Sequence, residues 1–466
     1  MIKNHLKIAI RNLLRQKTYS LINISGLAVG LAICILIFLW VRDELGYDRF
    51  HEHAEQIHRV VFEHESNGQI RRHWRTPPPL AANLIETYPE VVNATKFHSH
   101  EGVLVSHNEM KIRQTGGFTD AAFFDIFTNS FIKGDPQSVF TNPNSIVISE
   151  RMAAKFFGKA DPLNKILRID NQLDLTVIGV IRNWSENTYL DFDFLTQFEH
   201  LEYIAGYGNV EDWGDWGFNT FLLLSREANI SRLNEKITGY VKTIFPDIAR
   251  LLYLQPLTHI HLHGLEGRGS IIFVYIFSLI AVFILIIACV NFMNLTTARS
   301  MKRAKEVGLR KVVGASKSSL IRQFFGESIL ISFIALLLGI GLVELLLPAF
   351  NDLSGKTLSL DILAKTSMLP VLIGATLVTG IVSGIYPALF LSSFKPVIVL
   401  KGSLRIGSSA FRNALVVFQF ALSVILIACT MIVSEQLNFV KNKRLGFEKD
   451  NIVYMPLTNS LVNKYD

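Results

Sequence analysis

Five uncharged apolar segments decide what this chain can fold into: Leu21–Val41, Ile271–Ala298, Ser328–Val343, Thr366–Phe394 and Asn413–Ser434. A helix needs roughly 20 such residues to cross the hydrocarbon of a bilayer, and most of the five reach that length. The third is shorter, but it continues past Glu344 through Leu345–Leu347 to Pro348. Between the first and second segments lie residues 42–270, enough for a domain with its own core. The fold class that follows is an α-helical integral membrane protein. Its large mixed α/β (α+β) extracytoplasmic domain is inserted between the first and second transmembrane helices.

Charge gives the orientation. Lys3, Lys7, Arg11, Arg15 and Lys17 precede the first span with no acid among them. The stretch 299–327 carries eight basic residues against Glu306 and Glu327, and 395–412 carries four with no acid. These three pieces hold 17 of the 46 Lys and Arg but only 2 of the 39 Asp and Glu, leaving 29 basic and 37 acidic residues elsewhere. Positive charge therefore sits where the positive-inside rule puts it, so a sequence pI near 9.1 does not point to nucleic acid.

The organisation read from this pattern is an interfacial helix over 1–17 and spans over 18–41, 271–298, 328–350, 366–394 and 413–434. The domain 42–270, the short loop 351–365 and the segment 435–466 lie outside, with loops 299–327 and 395–412 inside. Ile2, Leu6, Ile10 and Leu13 recur at helical spacing beside a basic stripe of Lys3, Lys7, Arg11 and Arg15. That suits a helix in the inner interface, although a plain topogenic flank has the same charges. Phe38-Leu39-Trp40-Val41-Arg42 offers no small-residue cleavage site, so the first span reads as an uncleaved anchor. Cys34, Cys289 and Cys429 all fall in spans, so the exterior domain folds without disulfides.

Within that domain, Glu150–Phe157 reads as a helix with Ser149 as N-cap and Gly158 beyond its end. Leu80–Tyr88 reads as a short helix and Asn229–Ile244 as an amphipathic one. Leu173–Ile181 and Phe221–Leu224 read as strands. His259, His261 and His263 alternate as on one face of a surface strand, with no carboxylate or thiol spaced to complete a zinc site. HEHAEQIH (51–58) lacks the metalloprotease spacing, and no G-x-S-x-G is present. Gly355-Lys356-Thr357 is no Walker A loop, which would need glycine where Phe350 stands. The chain thus reads as no enzyme, with no cofactor or metal, and energy from nucleotide would come from another polypeptide.

ACVNFMNLTTARSMKRAKEVGLRKVVGASKSSLIRQFFGES (288–328) resembles the hallmark of ABC-transporter permeases of the MacB/FtsX type. SGIYPALFLSSFKPVIVLKG (383–402) is similar to the same family's fourth span and following loop. VISERMAAKFFGKADPL (147–163), LTVIGVIRNWSENTYLDFDFL (175–195) and LQPLTHIHLHG (254–264) resemble its MacB-type periplasmic core. The resemblance implies a multi-pass protein of a bacterial inner membrane, with the domain in the periplasm and the N-terminus in the cytoplasm. It also implies that Glu306, Gly308, Arg310, Lys311, Gly314 and Ala315 couple the chain to a cytoplasmic ABC ATPase subunit. The residues themselves are compatible with this. Glu306 and Arg310 stand at i and i+4, and Gly314 is placed to end the helix. A basic loop attracted to lipid headgroups would explain the charges but not the glycines.

The implied function is a permease that turns ATP hydrolysis by that subunit into movement of the periplasmic domain, for efflux or extraction of a substrate. An FtsX-like signalling permease acting on a cell-wall hydrolase or sensor is the alternative. Implied partners are a second permease half or copy, a periplasmic adaptor, an outer-membrane channel and membrane lipids. Phe411-Arg412-Asn413-Ala414-Leu415 echoes Ile10-Arg11-Asn12-Leu13-Leu14, and Leu445-Gly446-Phe447 echoes Leu45-Gly46-Tyr47. This is similar to the start of a second half in double-length members. Gly374, Ala375, Gly380, Ser383 and Gly384 in the fourth span favour close helix packing, within the chain or in a dimer.

Overall fold

The computed structural model describes residues 17–66, 68–204, 209–246, 250–265, 269–298, 307–361, 368–392 and 409–443, with single positions 11 and 207. Among these described residues, those up to Arg42 and those from Val274 form a helical unit, and those within Asp43–Phe273 an α/β unit. Among the described residues, five helices are long and apolar enough to cross a membrane. They are Lys17–Leu45, Ile271–Ala298, Lys317–Ser354, Met368–Ser392 and Ser409–Asn442, the first to fifth membrane helices below. Most of the interfacial stretch 1–17, most of loop 395–412 and the part of 435–466 beyond residue 443 lie outside the described residues.

Leu27, Leu31, Ile35 and Leu39 recur every fourth residue along the first helix and pack against Ala335, Leu336 and Val343 of the third. Small residues let the backbones close up, as expected where lipid removes the hydrophobic drive between helices. A Cβ built on Gly30 would stand 2.8 Å from that of Ala288, and one on Gly339 would stand 3.1 Å from the Ala28 carbonyl oxygen. The third helix starts well before Ser328, so residues 317–327 of the basic loop are helical. Ser316 Oγ accepts from the Ser319 amide to cap it, and Leu320, Phe324 and Glu327 are buried on one face. Hydropathy reads where a helix can lie in lipid, not where it begins. The helix also runs through Pro348 and ends at Gly355 in a left-handed conformation, with φ 67°.

The exterior domain is built on an 11-stranded sheet in the order β11-β1-β10-β3-β4-β9-β6-β8-β5, with β2 paired to β1 and β7 to both β3 and β8. The strands are β1 (Ile57–Ser66), β2 (Gln69–His73), β3 (Val91–His107), β4 (Met110–Thr119), β5 (Phe131–Lys133) and β6 (Ser145–Ser149). They continue with β7 (Ile166–Ile169), β8 (Leu173–Ile181), β9 (Phe194–Gln197), β10 (Asn219–Leu224) and β11 (Arg250–Pro256). The double pairing of β7 closes β3, β4, β9, β6, β8 and β7 into a ring. Val105, Phe118, Ile148, Leu175, Val177 and Phe194 fill its core. The long strand β3 serves two subdomains, and its register shifts between His100 and Val103. Its first half joins β10, where Leu84, Leu233 and Ile237 of flanking helices cover Leu222 and Leu252.

The capping signals are realised locally. Ser149 Oγ accepts from the Met152 amide at 3.1 Å, and Gly158 follows with φ 57°. That helix buries Met152 and Phe156 at i and i+4, each contributing about 1.5–3 kcal/mol. The Asn229–Ile244 helix is broken at Gly239 into Ile230–Thr238 and Tyr240–Ile244. The histidine run is not a strand. Leu257–His259 is a 3-10 turn and Ile260–His263 an α-turn, because Leu257 and Ile260 bury at helical spacing beyond Pro256. His259 and His263 then lie side by side with ring centroids 4.4 Å apart, while His261 bonds elsewhere. Among the described residues no metal-holding cluster forms.

Buried imidazoles set a pH dependence, His51 and His98 the most strongly among them. His51 accepts from the Thr128 amide through Nδ1, and burial pushes its pKa down to about 4. Burial likewise takes His98 to about 4, where it bonds the Tyr207 hydroxyl. The unfolded chain binds these protons from about pH 6.5, so stability is full above that value and is lost as pH falls toward about 4. Asp48 and Asp120, raised by burial, offset part of the loss because the folded state holds their protons more tightly. The urea midpoint of the domain is expected to be lower at about pH 5 than at about pH 7.5. A flat or rising midpoint would contradict this assignment.

Candidate coupling surface

Residues 307–312 form a short helix ahead of the third membrane helix. Its end is a Schellman motif: the Ala315 amide donates to the Arg310 carbonyl at 2.9 Å and the Gly314 amide to the Lys311 carbonyl at 3.1 Å. Gly314 has φ 98° with open space around it, so its requirement is conformational rather than steric. Ser316 then caps the next helix. This local chemistry turns the chain sharply between the two helices.

The side chains hold the short helix from behind. Arg310 Nη1 donates to Gln323 Oε1 at 2.6 Å, and Gln323 Nε2 to Glu327 Oε1 at 3.3 Å. Lys311 Nζ donates to the Ser392 carbonyl at 2.7 Å, at the end of the fourth helix, where a cation also meets the negative end of the helix dipole. Val307, Leu320, Phe324 and Ala388 make a small apolar core underneath, and Gly308 is buried beside it. Glu306, expected to brace Arg310, lies outside the described residues.

What faces away is apolar. Leu309, Val312 and Val313 are 58%, 63% and 84% exposed, at i, i+3 and i+4 of one face. Sequence reasoning singled out the charges and glycines of this loop and missed these three residues. The signal was present in their helical spacing, but it was obscured by the surrounding lysines and arginines. A patch of aliphatic side chains braced by a hydrogen-bonded network has the character of surfaces that pack against other molecules.

The profile of the MacB-like periplasmic core domain matches residues 20–240, and that of the FtsX-like permease C-terminal domain matches residues 278–396. The chain belongs to the MacB/FtsX family of ABC permeases. It is 23% identical over 356 residues to the macrolide export ATP-binding/permease protein MacB of Neisseria meningitidis, covering 74% of this chain and 53% of the relative. It is 31% identical to the protein of that name from Psychrobacter arcticus, covering 56% of this chain and 38% of the relative. The chain thus spans about half the length, or less, of these curated relatives. The crystal structure of the periplasmic region of MacB from Actinobacillus actinomycetemcomitans is similar at 14% identity and a TM-score of 0.33, covering 43% of this chain and 88% of that one. In this MacB/FtsX permease the surface at 307–315 falls within the FtsX-like match, and every strand of the sheet except β11 falls within the MacB-like match.

Proposed function

We propose that the chain is the permease of an ABC transporter, and that residues 307–315 dock on a cytoplasmic ABC ATPase and pass its movement to the membrane helices. The observation that carries this is the Leu309, Val312 and Val313 face, exposed on a helix anchored to both the third and fourth membrane helices. A partner pushing on that face loads both helices through Arg310 and Lys311. The orientation follows from the charge pattern, with the N-terminus and this surface cytoplasmic and the domain periplasmic. The output is movement of the periplasmic domain that drives efflux or extraction of a substrate. A second permease half or copy, a periplasmic adaptor and an outer-membrane channel complete the assembly.

The test is co-purification of the ATPase. Leu309→Asp with Val313→Asp is expected to abolish it while leaving membrane insertion intact, because the apolar spans decide insertion. Lys302→Gln with Lys305→Gln, which weakens only lipid attraction, is expected to retain it. If the aspartate variant keeps the ATPase and the glutamine variant loses it, the segment is a lipid anchor and the docking assignment fails.

A further inference from the structure

A cavity of about 380 Å³ opens in the exterior domain where the first half of β3 meets the loops around Trp74, Asp191 and Gly217. It is at the lower end of the size range of small-molecule sites. Trp74, 41% exposed, and Tyr189 supply aromatic walls, and Arg75, Glu101, Asp191 and Asn219 supply polar groups. The residues that meet here are far apart along the chain.

The lining narrows the ligand class. Arg59, which does not line the cavity, packs its guanidinium over both the Trp74 and Tyr189 rings at 5.7 and 5.2 Å from the centroids. It is fixed there by its bond to Gln255. A ligand cation would compete with a resident one for these rings, and would also meet Arg75. An anion would meet Glu101 and Asp191. Asp191 is itself only loosely paired, at 3.5 Å from Arg151. The charges nearly cancel, and His98 adds none near neutral pH, because burial holds its pKa at about 4. Asn219 makes two long bonds, accepting from the Tyr189 hydroxyl at 3.5 Å and donating to the Phe97 carbonyl at 3.4 Å. Both bonds are longer than the usual range, so a ligand hydroxyl can compete for the Asn219 amide.

Carboxylates, an amide and a guanidinium around an aromatic platform suit a neutral molecule with an apolar face and a rim of hydroxyls. We propose that this cavity binds a neutral saccharide of one or two rings, one ring face against Trp74 and its hydroxyls on Asp191, Glu101 and Asn219. The cavity continues toward a second, more basic recess that shares Glu101 and Thr115, which leaves room for a longer glycan to extend.

The experiment uses the full chain in a detergent without a sugar headgroup, applied to a glycan array and then titrated with the retained glycan while tryptophan emission is followed. A neutral mono- or disaccharide unit is expected to be retained. Trp74→Ala, which removes the ring platform, and Asp191→Ala, which removes one hydrogen bond to a charged group, are each expected to weaken it about tenfold or more. Asp191 is an exposed side chain, so its variant tests the site even if Trp74→Ala unfolds. Retention of no neutral glycan, retention of charged glycans only, or binding that survives Asp191→Ala would overturn the proposal.

Discussion

Gly380→Leu is expected to part the third and fourth membrane helices, while Gly374→Leu on the same helix is expected to be nearly silent. A Cβ at 380 falls 2.8 Å from the Ile329 Cα and 3.2 Å from Ser332 Oγ. The Ile329 atom is backbone and cannot swing aside as a side-chain tip can. Gly384, one turn on, meets Ser328 Oγ at 3.0 Å and Phe325 Cδ1 at 3.1 Å. Gly374 has nothing within 4 Å. Overpacking of this kind costs about 1–3 kcal/mol and more where backbone must move, and close packing is the main attraction between helices in lipid. The consequence reaches the coupling segment, because Arg310 hangs from Gln323 of the third helix and Lys311 from Ser392 of the fourth. Thermal unfolding in detergent should show a clear drop for Gly380→Leu and none for Gly374→Leu, with ATPase co-purification falling in the first alone. Equal behaviour of the two variants would mean that the glycine seam does not hold these helices together.

What could be read from the sequence follows the range of the interactions involved. The Glu150–Phe157 helix was legible because its cap, its buried face and its terminating glycine all lie within ten residues. The glycines of the fourth span were legible as a packing surface, but not their partner, since a small residue says only that something comes close. The structure supplies the third helix. The break at Gly239 was missed because apolar spacing runs across it, and the helical turn at 257–263 because alternating histidines mimic strand periodicity. The ring closed by β7 joins residues 169 and 105, a pairing that no local pattern encodes. The cavity of Trp74, Asp191 and Asn219 was illegible for the same reason. In the 307–315 segment the charges drew attention outward, whereas Arg310 and Lys311 point in and the aliphatic residues flanking them, Leu309, Val312 and Val313, point out.

His261→Ala is expected to destabilise the exterior domain by about 1–3 kcal/mol, the size typical of removing a hydrogen-bond partner from a buried carboxylate. His261 Nε2 lies 2.6 Å from Glu44 Oε2, and the glutamate side chain is only 6% exposed. Tyr47 stacks on the imidazole with ring centroids 3.6 Å apart and 5° between planes. The pair joins the point where the chain enters this domain to the point just before it leaves, so it closes a loop of more than two hundred residues. That is a contact which stabilises by closing the loop as well as by its hydrogen bond. Glu44→Ala removes the acceptor, and in the double variant much of the His261→Ala loss should be recovered, giving a coupling of about 1–3 kcal/mol. Glu44→Gln keeps a hydrogen-bonding group without the charge and should fall between. Four of the five tryptophans (Trp74, Trp184, Trp213 and Trp216) lie in this domain, so urea unfolding followed by their emission reads it directly. Additivity of the two single variants within about 0.5 kcal/mol would show that Glu44 and His261 are neighbours without being a clamp.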